Sequence, residues 1–281
     1  MPFPRPGTVD AGDLPRSGAK TALPEYLMEG VELGLLMLSV TALSAWLARH
    51  GAQRSIHSAF LRRGLLGAGV GVTVATLIYS PIGRRSGAHF NPAVTLTFFR
   101  LGMVRSADAI FYVLFQLLGA VAGIGVAAVA LGGRLSDRSV DYAATVPGSG
   151  GTAAAFAAEL ALAFVFMSIL LMTVNGPYGE RWTGAVAGSL IAVFILIEAP
   201  VSGMSLNPAR SVGSAVPAGH WGTVWVYVIA PAAGMQLAAE AYVRLHGRKH
   251  LRSAKLIHDD RTRCIFLCDC HSRRQGAARA R

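Results

Sequence analysis

Two short stretches of this chain carry the residue types from which a binding path could be built. They read "SGAHFNPAVTL" at 86–96 and "SGMSLNPARSV" at 202–212, so that Asn91-Pro92-Ala93 and Asn207-Pro208-Ala209 recur 116 residues apart. Proline is favoured in the first helical turn, and an asparagine before it caps backbone N–H groups that have no partner in the helix. Each motif is therefore expected to start a helix. Asparagine amides offer donors to an uncharged, oxygen-bearing solute, and the positive dipole end of a helix disfavours cations. Arg210, directly after the second motif, adds a fixed charge. This is the chemistry of recognition and exclusion. Enzymatic activity has no support: no nucleophile with a base, phosphate loop or metal-ligand cluster lies in the apolar segments, and no cofactor is expected.

The elements around the motifs are long and apolar. Of 281 residues, 53% are apolar and 15% charged, a poor fit to an ordinary soluble domain. Runs near 20 residues, the length that crosses a bilayer as a helix, fall at about 26–48, 64–82, 107–131, 152–174, 183–199 and 222–245. The fold class is all-α integral membrane with six spans.

Further recurrences make the chain an internal duplication. "YVLFQLLG" at 112–119 matches "YVIAPAAG" at 227–234, and the first span of each half carries a glutamate, Glu29 and Glu159. Two three-span units, about 25–131 and 152–246, must enter the membrane from opposite sides and form an inverted repeat. The segments that follow the motifs are too short to cross, so each is expected to be a re-entrant half-helix, and the inverted symmetry points the two starts at each other near the midplane. Irregular backbone at that depth is tolerated only where protein buries it or it lines a wet cavity. Glu29 and Glu159 are either transport carboxylates or acceptors for loop N–H groups, and their symmetric placement favours the second. Glu32 and Glu198 are unexplained by the repeat. Gly30 and Gly34, Gly119 and Gly123, and Gly184 and Gly188 form GxxxG pairs, expected at close helix crossings.

Paired "SGxxxNPA" within six spans resembles the aquaporin and glycerol-facilitator family, the major intrinsic proteins, over roughly residues 25–245. The resemblance implies six tilted helices plus two half-helices, one pore per subunit and a homotetramer in a lipid bilayer. It implies a passive channel for water and small uncharged solutes such as glycerol, urea or metalloid acids. Glu29, Glu159 and His89 would brace the loops, and Val70, Ile195, Met204 and Arg210 would form the outer constriction. Val70 and Ile195 stand where water-specific members carry an aromatic and a histidine, which implies a wider filter. Ser211 and Ala215 instead resemble the water-channel subgroup, so a strictly water-selective channel stays open. A secondary transporter, which inverted repeats with broken helices also build, and a structural membrane protein compete with the channel reading.

The ends are read as tails. Residues 1–24 contain five prolines and are expected to be disordered, and residues 247–281 form a basic tail. From Arg244 onward, 11 Lys and Arg against three Asp give +8 of the chain's formal +11. The positive-inside rule places such a tail, and both termini, in the cytoplasm. Nucleic-acid binding is discounted, since no interleaved aromatics or recognisable module accompany the charges. Arginine supplies 23 of 26 basic residues, a usage that points to a bacterial inner membrane. Cys264, Cys268 and Cys270 all lie in this tail with His271 beside them. A thiolate and imidazole metal site, palmitoylation, redox chemistry or no role are all open there; no metal is assigned.

Overall fold

The computed structural model describes residues 19–258 and 262–268, and among these all regular structure is helical. Six helices are long and apolar enough to cross a membrane: α1 (Ala19–Leu47), α3 (Ala59–Tyr79), α6 (Ser106–Leu131), α7 (Gly151–Val174), α8 (Gly179–Ser202) and α10 (Val224–His246). Between them lie the short α2 (His50–Ser55) and α4 (Pro81–Ser86) and the two half-helices, α5 (Pro92–Arg100) and α9 (Pro208–Ala218). The expected fold is present, with one shift at the start: α1 begins at Ala19, inside the segment read as tail.

With six crossings, α1 begins on the face where α10 ends. We call this the terminal face. The loop before α5 enters from it, while the loop before α9 enters from the opposite face. Both half-helices start inside the bundle and run outward.

Helices approach closely where glycine removes the side chain. A Cβ on Gly119 would lie 1.9 Å from the carbonyl oxygen of Gly30, and one on Gly123 would lie 2.2 Å from that of Gly34. Thus the first two GxxxG pairs meet each other at the α1–α6 crossing. The second repeat does the same with a single glycine, Gly234 of α10 against the carbonyl of Leu160 in α7, at 2.3 Å from an added Cβ. The third pair divides its work: Gly188 faces the carbonyl of Gly71 in α3, whereas Gly184 leaves room for the Tyr79 ring.

Residues 251–258 and 262–268, which the sequence assigns to a separate tail, fold back onto the bundle. Ala254, Lys255, Leu256, Ile257, Ile265 and Phe266 are buried. Their apolar members join the main core, which positional charge counting could not reveal. Cys270 and His271 lie outside the described residues.

Gly119→Val forces a branched side chain into the Gly30 backbone, a cost above the roughly 1–3 kcal/mol of ordinary overpacking. Gly125, further along α6, has nothing within 4 Å of an added Cβ. We expect Gly119→Val to abolish the monodisperse peak in detergent size-exclusion chromatography and Gly125→Ala to leave it intact. Equal recovery of both variants would contradict the close crossing.

Candidate functional site

The two re-entrant loops share one plan, an asparagine cap ahead of a proline with a buried glutamate on the loop's backbone. Asn91 caps α5 by accepting from Ala93 N–H at 2.9 Å, with Pro92 in the first turn. Asn207 caps α9 by accepting from Ala209 and Arg210 N–H at 3.1 and 3.3 Å, with Pro208 in the first turn. Each amide then reaches across. Asn91 Nδ2 donates to Leu206 O and Asn207 Nδ2 donates to Phe90 O, both at 2.8 Å. The loops thereby meet, and each supplies the acceptor that the other's asparagine needs.

Reaching that geometry strains the backbone. Ala88 and Phe90 have φ of 58° and 26°, and Met204 and Leu206 have φ of 51° and 53°. Non-glycine residues in the left-handed region cost of order 1–3 kcal/mol each, so surrounding bonds must hold them. Glu29 accepts from His89 N–H at 2.9 Å and Phe90 N–H at 2.6 Å. Glu159 accepts from Ser205 and Leu206 N–H, both at 2.7 Å. Both carboxylates are fully buried and bind backbone donors, as loop braces do.

The surroundings of the braces explain a residue that the repeat left aside. In the second loop Ser202 Oγ donates to Glu159 at 2.7 Å and accepts from Met204 N–H. In the first, Ser86 Oγ accepts from Ala88 N–H but donates to Glu32 at 2.7 Å, because Glu29 is already taken by Gln116 Nε2 at 2.8 Å. Glu32 thus shares the load of Glu29. The Tyr112 and Tyr227 hydroxyls close the pattern by donating to Ser86 O and Ser202 O. Glu32 is not legible as a brace because the second repeat has no counterpart to it, and although Tyr112 and Tyr227 head the matched repeats, nothing local shows that their hydroxyls reach the loop carbonyls.

Around these loops lies a cavity of about 230 Å³. Its lining runs from Ser44 and Ala143 towards the opposite face, past Asn91 and Asn207, to His89 and Leu256 at the terminal face. Val70, Ile195, Met204 and Arg210, assigned from sequence to one constriction, all line it. Apolar side chains repeat every four residues along its walls: Leu66, Val70, Val74 and Ile78 on α3, and Ala187, Ile191, Ile195 and Ala199 on α8. Arg210 Nη1 has no acceptor among the described residues, which leaves a donor for whatever oxygen occupies the cavity. His89 plays a second part beside its backbone bond. Its ring stacks between Phe98 and Phe266, each 5.2 Å away, and Nε2 donates to Ala254 O at 2.7 Å.

The family model described as major intrinsic protein matches residues 25–242. The chain belongs to the major intrinsic protein family. Among similar curated proteins, aquaporin NIP1-2 of Oryza sativa subsp. japonica is 40% identical over 176 residues, 61% of this chain and 57% of that one. Glycerol uptake facilitator protein-like 6 of Lactiplantibacillus plantarum is 34% identical over 179 residues, 61% of this chain and 79% of that one. The matched part spans about three-fifths of the length of the first plant relatives. The solved structure of an aquaglyceroporin from Plasmodium falciparum shares the fold at a TM-score of 0.67 and 22% identity, over 78% of this chain and 95% of that one. In this major intrinsic protein each of the two loops carries an Asn-Pro-Ala cap and rests on a buried glutamate.

Glu159→Ala removes the acceptor for Ser202 Oγ, Ser205 N–H and Leu206 N–H. Each buried donor left unmatched costs about 1–3 kcal/mol. We expect thermal unfolding in detergent to fall by many degrees for Glu159→Ala and by less for Glu159→Gln, which keeps one acceptor oxygen. Equal unfolding temperatures for the wild type and Glu159→Ala would contradict the bracing role.

Proposed function

We propose that this chain is a passive transmembrane channel for water and small uncharged solutes, with glycerol, urea and uncharged metalloid acids in its range. The observation that carries the reading is the lining of the cavity: two asparagine caps, each bonded to the other loop's backbone, and a cation at its polar stripe, with apolar walls of α3 and α8 opposite. Two half-helix N-termini converge on the asparagines, so a cation there meets positive dipole ends and Arg210. A neutral solute meets donors and acceptors at matched positions. Passage requires neither a titrating carboxylate nor a covalent step.

Val70, Ile195, Met204 and Arg210 are proposed as the filter. Arg210 is the only ionisable side chain of the four, and the remaining three are apolar, which penalises a larger neutral solute little. The exposed stripe Leu23, Leu27, Val31 and Leu35 on α1 suits lipid or a neighbouring subunit, in keeping with a homotetramer. The basic C-terminal region supports a cytoplasmic terminal face, and the arginine-rich usage supports a bacterial inner membrane.

Stopped-flow light scattering on proteoliposomes tests the reading. We expect water flux above that of protein-free vesicles and measurable entry of glycerol or urea. The double variant Val70→Phe, Ile195→His is expected to lose solute entry more than water flux, and the two substitutions should couple rather than add, since they share one constriction. A reflection coefficient of unity for every solute in wild-type vesicles with high water flux would restore strict water selectivity.

A further inference from the structure

The segments 251–258 and 262–268 close over the terminal mouth of the cavity. Leu256 is part of its lining, and its N–H donates to Gly87 O at 3.0 Å. Phe266 lies flat on the His89 ring and over Gly87, where an added Cβ would come within 2.6 Å of the phenyl edge. Three further anchors surround the mouth. Arg252 N–H donates to Asn175 Oδ1 at 2.7 Å, and Leu267 N–H donates to Met103 O at 2.9 Å. The buried Lys255 ammonium donates to Arg84 O of α4 and to Arg263 O, tying the two segments to each other and to the bundle.

On this plug, His258, Cys264 and Cys268 each present a ligand atom, all within 4.8 Å of one another. Both cysteines are thiols outside any disulfide, and their sulfurs are 3.5 Å apart. Two thiolates bound to one tetrahedral zinc ion at about 2.3 Å each are about 3.8 Å apart, so little movement separates the present geometry from a chelate. Cys268 Sγ also accepts from Ala254 N–H at 3.4 Å. Ala254 in turn, through its carbonyl, accepts from His89 Nε2. One residue therefore links the thiol cluster to a side chain that lines the cavity.

We propose that His258, Cys264 and Cys268 bind a thiophilic divalent cation of the zinc class, and that the bound ion locks the plug across the terminal mouth and lowers flux. Two thiolates, one neutral imidazole and a divalent ion sum to zero charge, which suits a site against an apolar mouth; the two thiols release their protons to the buffer on binding. Among the described residues three ligands are present, which leaves a fourth position open. With the terminal face cytoplasmic, as proposed above, the thiols lie in a reducing compartment where chelation is favoured over a disulfide.

The test uses the reduced full-length chain and Zn²⁺ as probe. Equilibrium dialysis should give one tightly held ion per wild-type chain, with affinity falling at least about tenfold in His258→Gln and further in Cys264→Ser, Cys268→Ser. In proteoliposomes with Zn²⁺ on both sides, wild-type water flux should fall severalfold and recover on chelation, while the variants keep their flux. The proposal is overturned by absent binding, by binding that survives loss of both thiols, by a bound ion that leaves flux unchanged, or by gating that follows an oxidant and ignores zinc. A channel that conducts equally with and without the ion sinks the gate but keeps the channel. If neither the wild type nor the plug variants Leu256→Ala and Phe266→Ala conduct with chelator present, the channel reading itself has failed.

Discussion

A peptide group in the middle of a bilayer has no water to bond, and this chain places two non-helical loops at that depth. The bonds of both loops answer that constraint. Each loop spends its asparagine oxygen on its own half-helix and its asparagine N–H on the other loop. Each places a buried glutamate on the two N–H groups that the left-handed backbone turns away from regular structure. A carboxylate in a membrane span is costly, and here the cost is offset by backbone donors that would otherwise be unmatched. The loops can hold their strained shape because the N–H groups of His89, Phe90, Ser205 and Leu206 all find acceptors in Glu29 and Glu159.

The close crossings serve the same end. Gly119 on Gly30 and Gly234 on Leu160 bring α6 and α10 close to the helices that carry Glu29 and Glu159, and Tyr112 and Tyr227 then reach the loop carbonyls from those helices. Packing thus sets the register of the polar network. The symmetry is incomplete at two positions. Arg210 follows only the second motif, and Glu32 supports only the first; the position that matches it at the spacing of Glu29 and Glu159 is Leu162.

Repetition is what makes the sequence legible. The asparagines, the paired glutamates, the six spans and the two half-helices can be read because each occurs twice at a matched spacing and each has a local physical meaning. Glu32 has no such counterpart, and although Ser86 and Ser202 recur with the motifs, which carboxylate each serves depends on the long-range partners already in place. The C-terminal segment is illegible for a different reason. Its net charge describes its surface, but the burial of Leu256, Ile257, Ile265 and Phe266 depends on the shape of a mouth formed by residues 84–103. The thiol cluster illustrates the same limit: sequence pairs the cysteines with the adjacent His271, whereas the fold brings His258 to Cys264 and Cys268.

The central claim is that the two loops hold each other through Asn91 and Asn207, and a double-mutant cycle measures it directly. Asn91→Ala, Asn207→Ala and the double variant would be compared by reversible unfolding in mixed micelles. Mutual support predicts that the double variant loses less stability than the sum of the singles, with a coupling of about 0.5–3 kcal/mol. Additivity to within about 0.3–0.5 kcal/mol would mean that each loop stands alone, and would contradict the account.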